Sequence, residues 1–230
     1  MGKISIWQKL LSYFREIHIE SAPGEVNPHL YVSLSKGRFM LSSARAIYSH
    51  GDLYHNFVQT FKKVDWNQIP GDKALLLGFG LGSIPMILEK QGRDFKYTAV
   101  EKDPNVIYLA SKYTLPLIDS PVHLYEADAG QFVQQQTPKT FSVICMDIFL
   151  EDLIPSHVQK KAYIEQLKIL LLPRGVLFVN TLRPVDKEGE EKDGSEMTPF
   201  QQLLLKVFPQ GDFVSVGPNA VFVSRGDLLK

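Results

Sequence analysis

Three glycines stand at a point in the sequence where a ligand could bind. Gly78, Gly80 and Gly82 directly follow an apolar run and precede a stretch with helical spacing. Glycine lets the backbone approach a ligand closely, and the first turn of a helix offers N–H groups without partners inside the helix. The pattern predicts a nucleoside site, although the same glycines would also suit a tight strand-to-helix turn.

Acidic residues follow the next three apolar runs. A carboxylate at Glu101 can accept both hydroxyls of a ribose. Asp128 and its neighbour Ala129 could bind the amino group of adenine, and Asp128 could equally cap the following helix. Asp147 could position an amine. The runs and their acids are Tyr97–Val100 with Glu101, Val122–Tyr125 with Asp128, and Phe141–Met146 with Asp147.

These residues need elements that bring them together. Short apolar runs alternate with stretches of helical spacing, which predicts a parallel sheet covered by helices on both faces, a doubly wound α/β fold. The carboxyl ends of its strands meet at one edge, where such folds bind ligands. The predicted core strands are Ala74–Leu77, the three runs above and Val176–Asn180.

The two ends of the chain differ from this plan. Phe213–Val216 and Ala220–Val223 are separated by three residues, which permits only an antiparallel pair. A short amphipathic helix within 4–14, a small antiparallel sheet within 16–50 and a helix capped by Asp52 precede the main domain. We expect an N-terminal part at 1–66 and a nucleoside-binding domain at 67–230. The acidic segment Asp186–Glu196 predicts an exposed loop, with a substrate lid as the alternative.

Composition restricts the function classes. The 25 basic residues balance the 25 acidic ones, so no overall charge attracts nucleic acid or a membrane. Small-molecule substrates or protein partners are expected instead. Cys145 is the single cysteine and lies in an apolar run, which excludes an intrachain disulfide and favours a cytoplasmic setting. The six histidines lack metal-ligand spacing, so no metal is expected.

The order of the motifs resembles the spermidine synthase family, from about Arg38 to Asn180. This resemblance implies a small N-terminal β-domain on a class I methyltransferase-like domain with a seven-stranded, Rossmann-like sheet. The family transfers an aminopropyl group from decarboxylated S-adenosylmethionine to putrescine. The matching segments are Tyr54-His55, the glycine loop, Val100–Pro104, Asp128–Phe132, Phe141–Asp147 and Leu172–Leu177.

By resemblance, most of the predicted site residues would hold the nucleoside. Tyr54, His55 and Tyr163 would line the pocket. A homodimer is compatible with this reading. The predicted nucleoside-binding set is Gly78, Gly80, Gly82, Glu101, Lys102, Asp128, Ala129 and Asp147.

Several positions depart from the family pattern. Leu81 replaces the aspartate of the glycine loop, which reads G-G-G-D-G-G in the family, and Arg45 falls where the family has glutamine. The family's D-S-S-D-P becomes Asp147-Ile148-Phe149-Leu150-Glu151, with Asp152 next. Arg45 could meet a carboxylate of the acceptor or of intact S-adenosylmethionine, or be a plain surface arginine.

Three hypotheses remain open. The first is a transferase that uses S-adenosylmethionine to alkylate a small acceptor less cationic than a polyamine, with Asp147 and Tyr54 as catalytic candidates. The second is a polyamine aminopropyltransferase in which Glu151 or Asp152 acts as the base. The third is a non-catalytic, dimerising or ligand-sensing relative. A nicotinamide dehydrogenase is a minor alternative, against which the terminal antiparallel strands argue.

Overall fold

The computed structural model describes residues 4–23, 29–43, 46–151, 153–184 and 197–230. Three features of the sequence analysis lie outside these ranges. They are Arg45, Asp152 and the acidic segment Asp186–Glu196.

The described part of the chain contains seven α-helices, eleven strands and four short 3₁₀ helices. The helices are α1 (Ile6–Leu11), α2 (His55–Lys62), α3 (Ser83–Lys90), α4 (Pro104–Tyr113), α5 (Ala129–Gln134), α6 (Lys161–Leu170) and α7 (Pro199–Val207). The strands are β1 (Ile17–Ala22), β2 (Leu30–Ser35), β3 (Arg38–Ser42), β4 (Ile47–Ser49), β5 (Lys73–Leu77), β6 (Lys96–Glu101), β7 (Val122–Glu126), β8 (Phe141–Met146), β9 (Leu171–Leu182), β10 (Asp212–Val216) and β11 (Asn219–Val223).

The main sheet has seven strands in the order β10-β11-β9-β8-β5-β6-β7. Strands β5 to β9 run parallel, whereas β11 is antiparallel to both β9 and β10. This arrangement confirms the predicted doubly wound, mostly parallel sheet with a terminal antiparallel pair. The chain leaves β5 toward β6 and later returns to its other side through β8, so the strand order reverses at β5. Doubly wound sheets bind their ligands at such a reversal.

Helices cover both faces of this sheet. Because successive side chains of a strand point to opposite faces, Leu76 packs against the cluster that contains Phe57 of α2, while Leu75 and Leu77 pack against the cluster that contains Ile164 of α6. All of these side chains are almost fully buried. Full burial of one such side chain contributes about 1.5–3 kcal/mol, so the sheet holds the strand ends in a rigid frame.

A second, antiparallel sheet has the strand order β1-β2-β3-β4. It is the small antiparallel sheet that the sequence predicts within 16–50. Its last strand is joined to the first turn of α3. The Ser49 and Ser83 hydroxyls lie 2.6 Å apart, and the His50 N–H donates to Ser83 Oγ at 3.0 Å. Since α3 directly follows the glycine loop, these bonds place the small sheet against the edge of the large sheet at which its parallel strands end.

The predicted capping role of Asp52 is wrong. Helix α2 begins at His55 with Tyr54 as its N-cap residue, and the Asp52 carboxylate instead pairs with Arg38 and Lys90. Burial of Asp52 disfavours its charge, but hydrogen bonds and charges of the two cations outweigh this and lower its pKa to about 2. Two cations attract a carboxylate more strongly than backbone N–H groups do, and neither is a neighbour in sequence.

Two further observations concern the described residues. Cys145 is a free, fully buried thiol, and its burial raises its pKa.

Within the described ranges, no helix has the length and apolar character to cross a membrane. No three His, Cys, Asp or Glu side chains in these ranges are grouped as metal ligands would be.

Candidate nucleoside-binding site

A cavity of about 700 Å³ opens at the carboxyl ends of the central strands. Most of the predicted site residues that the structure describes line it together. Two do not: Gly82 is the N-cap residue of α3, and Tyr163 lies on α6 with its side chain buried in the core. The lining members of the predicted set are Tyr54, His55, Gly78, Gly80, Glu101, Lys102, Asp128, Ala129, Asp147 and Glu151.

Close packing explains the first glycine of the loop. Gly78 has a φ of 86°, and a Cβ atom there would lie 2.3 Å from the carbonyl oxygen of Asp147. That oxygen cannot retreat easily, because the Asp147 N–H is bound to the Leu77 carbonyl oxygen at 2.8 Å. The loop is therefore pressed against the end of β8. Gly78 serves packing there, and Gly78 and Gly80 also line the cavity, while nucleoside binding by this loop stays a prediction.

Replacing Gly78 by alanine is expected to lower the free energy of unfolding by about 3 kcal/mol or more, through steric overlap together with the positive φ. Gly92 is a matched control, since its φ is 68° but nothing lies within 4 Å of an added Cβ. Gly92→Ala should cost only about 1–2 kcal/mol. Urea unfolding of both variants measures the difference, and equal losses would contradict the packing argument.

Glu101 holds two loops together at the centre of the site. Its Oε2 accepts the N–H groups of Phe79 and Gly80 at 3.2 and 3.1 Å. Its Oε1 accepts those of Lys102 and Asp103 at 2.8 and 3.1 Å. Burial raises the pKa of Glu101, and the four N–H groups oppose that shift. A ribose hydroxyl that donates to this carboxylate would share an oxygen with these N–H groups or displace one of them.

Asp128 is both a helix cap and a wall of the cavity. Its Oδ1 accepts the N–H groups of Gly130 and Gln131 at 2.9 and 3.3 Å, which caps α5. Its Oδ2 lies 3.2 Å from Lys102 Nζ and 3.5 Å from His157 Nε2. Burial disfavours the charge of Asp128, but its hydrogen bonds and the nearby positive charges outweigh burial and lower its pKa. The spacing of the histidines in the sequence does not single out His157 as a site residue.

Asp147 is the carboxylate on the other side of the cavity. Its Oδ1 accepts a hydrogen bond from Asn180 Nδ2 at 2.8 Å, and the Tyr54 hydroxyl lies 3.5 Å from the same atom. Burial, together with the charge of Glu101, raises its pKa to about 6, although Asn180 and Tyr54 act in the opposite direction. Asp147 is thus ionised at neutral pH and still able to accept a proton.

The loop after Asp147 forms the wall on this side. Phe149, Leu150 and Glu151 line the cavity, and the Glu151 N–H donates to the Tyr48 hydroxyl at 2.9 Å. Glu151 has a φ of 54°, and Leu150 exchanges two backbone hydrogen bonds with Leu153. The small sheet therefore fixes this loop, through a contact that the sequence did not reveal.

No family model matches the chain, but curated proteins do. It is 28% identical over 112 residues to a polyamine aminopropyltransferase of Vibrio vulnificus, and 25% identical over 149 residues to a probable polyamine aminopropyl transferase of Bifidobacterium longum. These matches cover 48% and 64% of this chain but only 38% and 32% of the relatives. An N-terminal histidine N-methyltransferase of Emericella nidulans is 34% identical over 117 residues, 48% of this chain and 20% of that protein.

Solved structures agree on the fold. A probable spermidine synthase from Corynebacterium glutamicum superposes with a TM-score of 0.72 at 16% identity, over 90% of this chain and 80% of that one. Human methyltransferase-like protein 13 in complex with SAH gives 0.57 at 17%, over 76% and 81%. The fold is that of the class I methyltransferases. Within that class the chain resembles the spermidine synthases, as the order of its motifs predicted.

Proposed function

We propose that the protein is a transferase that binds S-adenosylmethionine or its decarboxylated form and passes a methyl or related alkyl group to a small acceptor. The observation that carries this proposal is the convergence of the glycine loop, Glu101, Asp128 and Asp147 on one cavity. Each comes from the end of a different central strand. The curated relatives are named as transferases of this chemistry, which supports the same reading.

The residues present fit such a nucleoside. Gly78 and Gly80 leave the loop without side chains at the cavity wall, and the Glu101 carboxylate reaches the same wall. Glu101 would hold the ribose, while Asp128 and Ala129 would contact the adenine. In the strand order, β8, which leads into Asp147, lies on one side of β5, and the strands that lead into Glu101 and Asp128 lie on the other. We therefore place the reacting end of the ligand on the Asp147 side.

The chemistry asks little of the protein beyond orientation and a base. The lone pair of an acceptor nitrogen forms a bond to the carbon next to sulfur, and the carbon–sulfur bond breaks with its electrons going to sulfur. The positive charge of the sulfonium is lost, and the nitrogen gives up one proton. Asp147 is the side chain placed to accept it, since its raised pKa brings it close to the range in which a base works well.

The part of the cavity beside Asp147, where we place the acceptor, favours an acceptor that is less cationic than a polyamine. Phe149 and Leu150 are apolar, and charge brought against them without a partner costs several kcal/mol in the low-dielectric limit. At the glycine loop, Leu81 is fully buried in the core, so it leaves no carboxylate there to hold an amino group of the donor.

Aminopropyl transfer is the second candidate. Two curated relatives are named as polyamine aminopropyltransferases, and Glu151 lines the cavity one residue after the position of the family's second aspartate. Glu151 could supply a second carboxylate for a cationic acceptor. This candidate requires the decarboxylated donor, whereas methyl transfer requires the intact one.

Calorimetric titration with S-adenosylmethionine, decarboxylated S-adenosylmethionine and methylthioadenosine separates the candidates. Tighter binding of the intact donor supports methyl transfer, and tighter binding of the decarboxylated donor supports aminopropyl transfer. Binding without turnover of either donor, in the presence of amine acceptors, would indicate a non-catalytic relative. If none of the three ligands binds, the proposed function is refuted.

A further inference from the structure

Two asparagines form a chain of hydrogen bonds that ends on Asp147. Asn219 Nδ2 donates to Asn180 Oδ1 at 3.0 Å, and Asn180 Nδ2 donates to Asp147 Oδ1 at 2.8 Å. The direction of this chain follows from its end: an ionised carboxylate only accepts, so Asn180 must turn its NH2 group toward Asp147 and its oxygen toward Asn219. Asn219 must then be the donor. Both asparagines line the cavity.

We infer that Asn180 and Asn219 are positioning residues, which hold Asp147 so that its second oxygen faces the acceptor. This inference rests on the proposed function. The Asn180 and Tyr54 contacts both end on Oδ1, and within the described part of the chain no hydrogen bond reaches Oδ2. Oδ2 is therefore the oxygen that can accept a hydrogen bond from the N–H of the molecule that receives the alkyl group. The contacts to Oδ1 fix the orientation of Oδ2.

The hairpin of β10 and β11 thereby becomes part of the site. Asn180 is 2% exposed on β9, where a buried amide is costly unless both of its ends are bonded. Asn219 satisfies its oxygen and begins β11, held by the register that pairs Asn219 with Leu182. A turn remote in sequence from the glycine loop thus controls the orientation of the base.

The charged and titratable groups around Asp147 set the expected pH effects. Tyr54 faces it from the start of α2, Glu101 from the end of β6, Cys145 from β8 itself, and Glu151 lines the same cavity. Asn180 and Tyr54 lower the pKa of Asp147, whereas burial and Glu101 raise it. Removing the Asn180 donor must therefore raise the pKa of Asp147 further.

Two variants test the chain. Asn180→Leu removes the donor without adding a charge. Asn219→Asp reverses the direction of the hydrogen bonds. An aspartate at this position accepts from the Asn180 NH2 group and so turns the Asn180 oxygen toward Asp147. We expect both to raise the pKa of Asp147 by about one unit, read by carboxyl-carbon NMR with the signal assigned through Asp147→Asn. The acid limb of the kcat profile should move equally, which lowers kcat at pH 6 about fivefold.

Asn67→Asp is the control, since Asn67 is exposed and is not among the residues that line the cavity. It should change neither the NMR titration nor the kcat profile. An unchanged pKa of Asp147 in Asn219→Asp, a turn variant that needs no core rearrangement, would overturn the inference. The NMR titration requires no donor, so it remains informative if calorimetry refutes the proposed function, and the two failures are distinguishable.

Discussion

Replacing Asp147 by asparagine is expected to slow group transfer by roughly 10²–10⁴-fold, the usual contribution of a positioned base. Asparagine keeps an oxygen for the Asn180 and Tyr54 hydrogen bonds, so the cavity should retain its shape. Binding of the donor should change little. The measurement is kcat with whichever donor calorimetry identifies, together with the dissociation constant of that donor for both proteins.

The same substitution should stabilise the protein, which separates lost chemistry from lost structure. The pKa of Asp147 is about 6 in the folded state, above its ordinary value of 3.8. The folded state thus holds this proton more tightly than the unfolded state, and stability falls as pH rises from 3.8 through about 6. At pH 8 the asparagine variant should gain about 1–3 kcal/mol in urea unfolding. An inactive variant that is less stable than the wild type would contradict this account.

Replacing Glu101 by alanine is expected to weaken donor binding about 100-fold or more, since hydrogen bonds to a charged group contribute about 1.5–3 kcal/mol each. It also leaves four backbone N–H groups without their acceptor. Glu101→Gln is the milder variant, because it keeps one oxygen for two of those donors. Calorimetry gives the dissociation constants, and circular dichroism checks that each variant is folded.

Glu126 offers a matched control for this prediction. It pairs with Glu101 in register on the neighbouring strand, but its side chain is exposed and does not line the cavity. Glu126→Gln should leave donor affinity unchanged. If Glu101→Gln binds the donor as tightly as the wild type, Glu101 serves only to hold the loops together.

Much of the fold could be predicted because its signals are local. Alternation of short apolar runs with helical spacing implies a parallel sheet, and the strands then deliver Glu101, Asp128 and Asp147 to one edge. Strand direction alone makes this so, without knowledge of any side-chain contact. The antiparallel pair at the end followed from the length of one turn.

Contacts between distant segments could not be predicted in this way. Asp52 has the residue type of a helix cap. Its carboxylate instead forms ion pairs with Arg38 and Lys90, which lie 14 and 38 residues away in sequence. Tyr163 matched a family position, but its side chain is buried on the core face of α6 and does not line the cavity. Residue type and spacing state what a side chain can do, and packing selects one partner among several.

The sequence by itself thus determined the sheet, the edge at which its parallel strands end and the three acids that line the cavity there, because periodicity and strand direction are properties of short segments. Only the tertiary structure decided which groups surround those acids. Asn180 and Asn219 are 39 residues apart, and Tyr48 meets Glu151 across 103 residues. Such contacts depend on the register of paired strands and on the path of the loops, both of which form only when the whole chain packs.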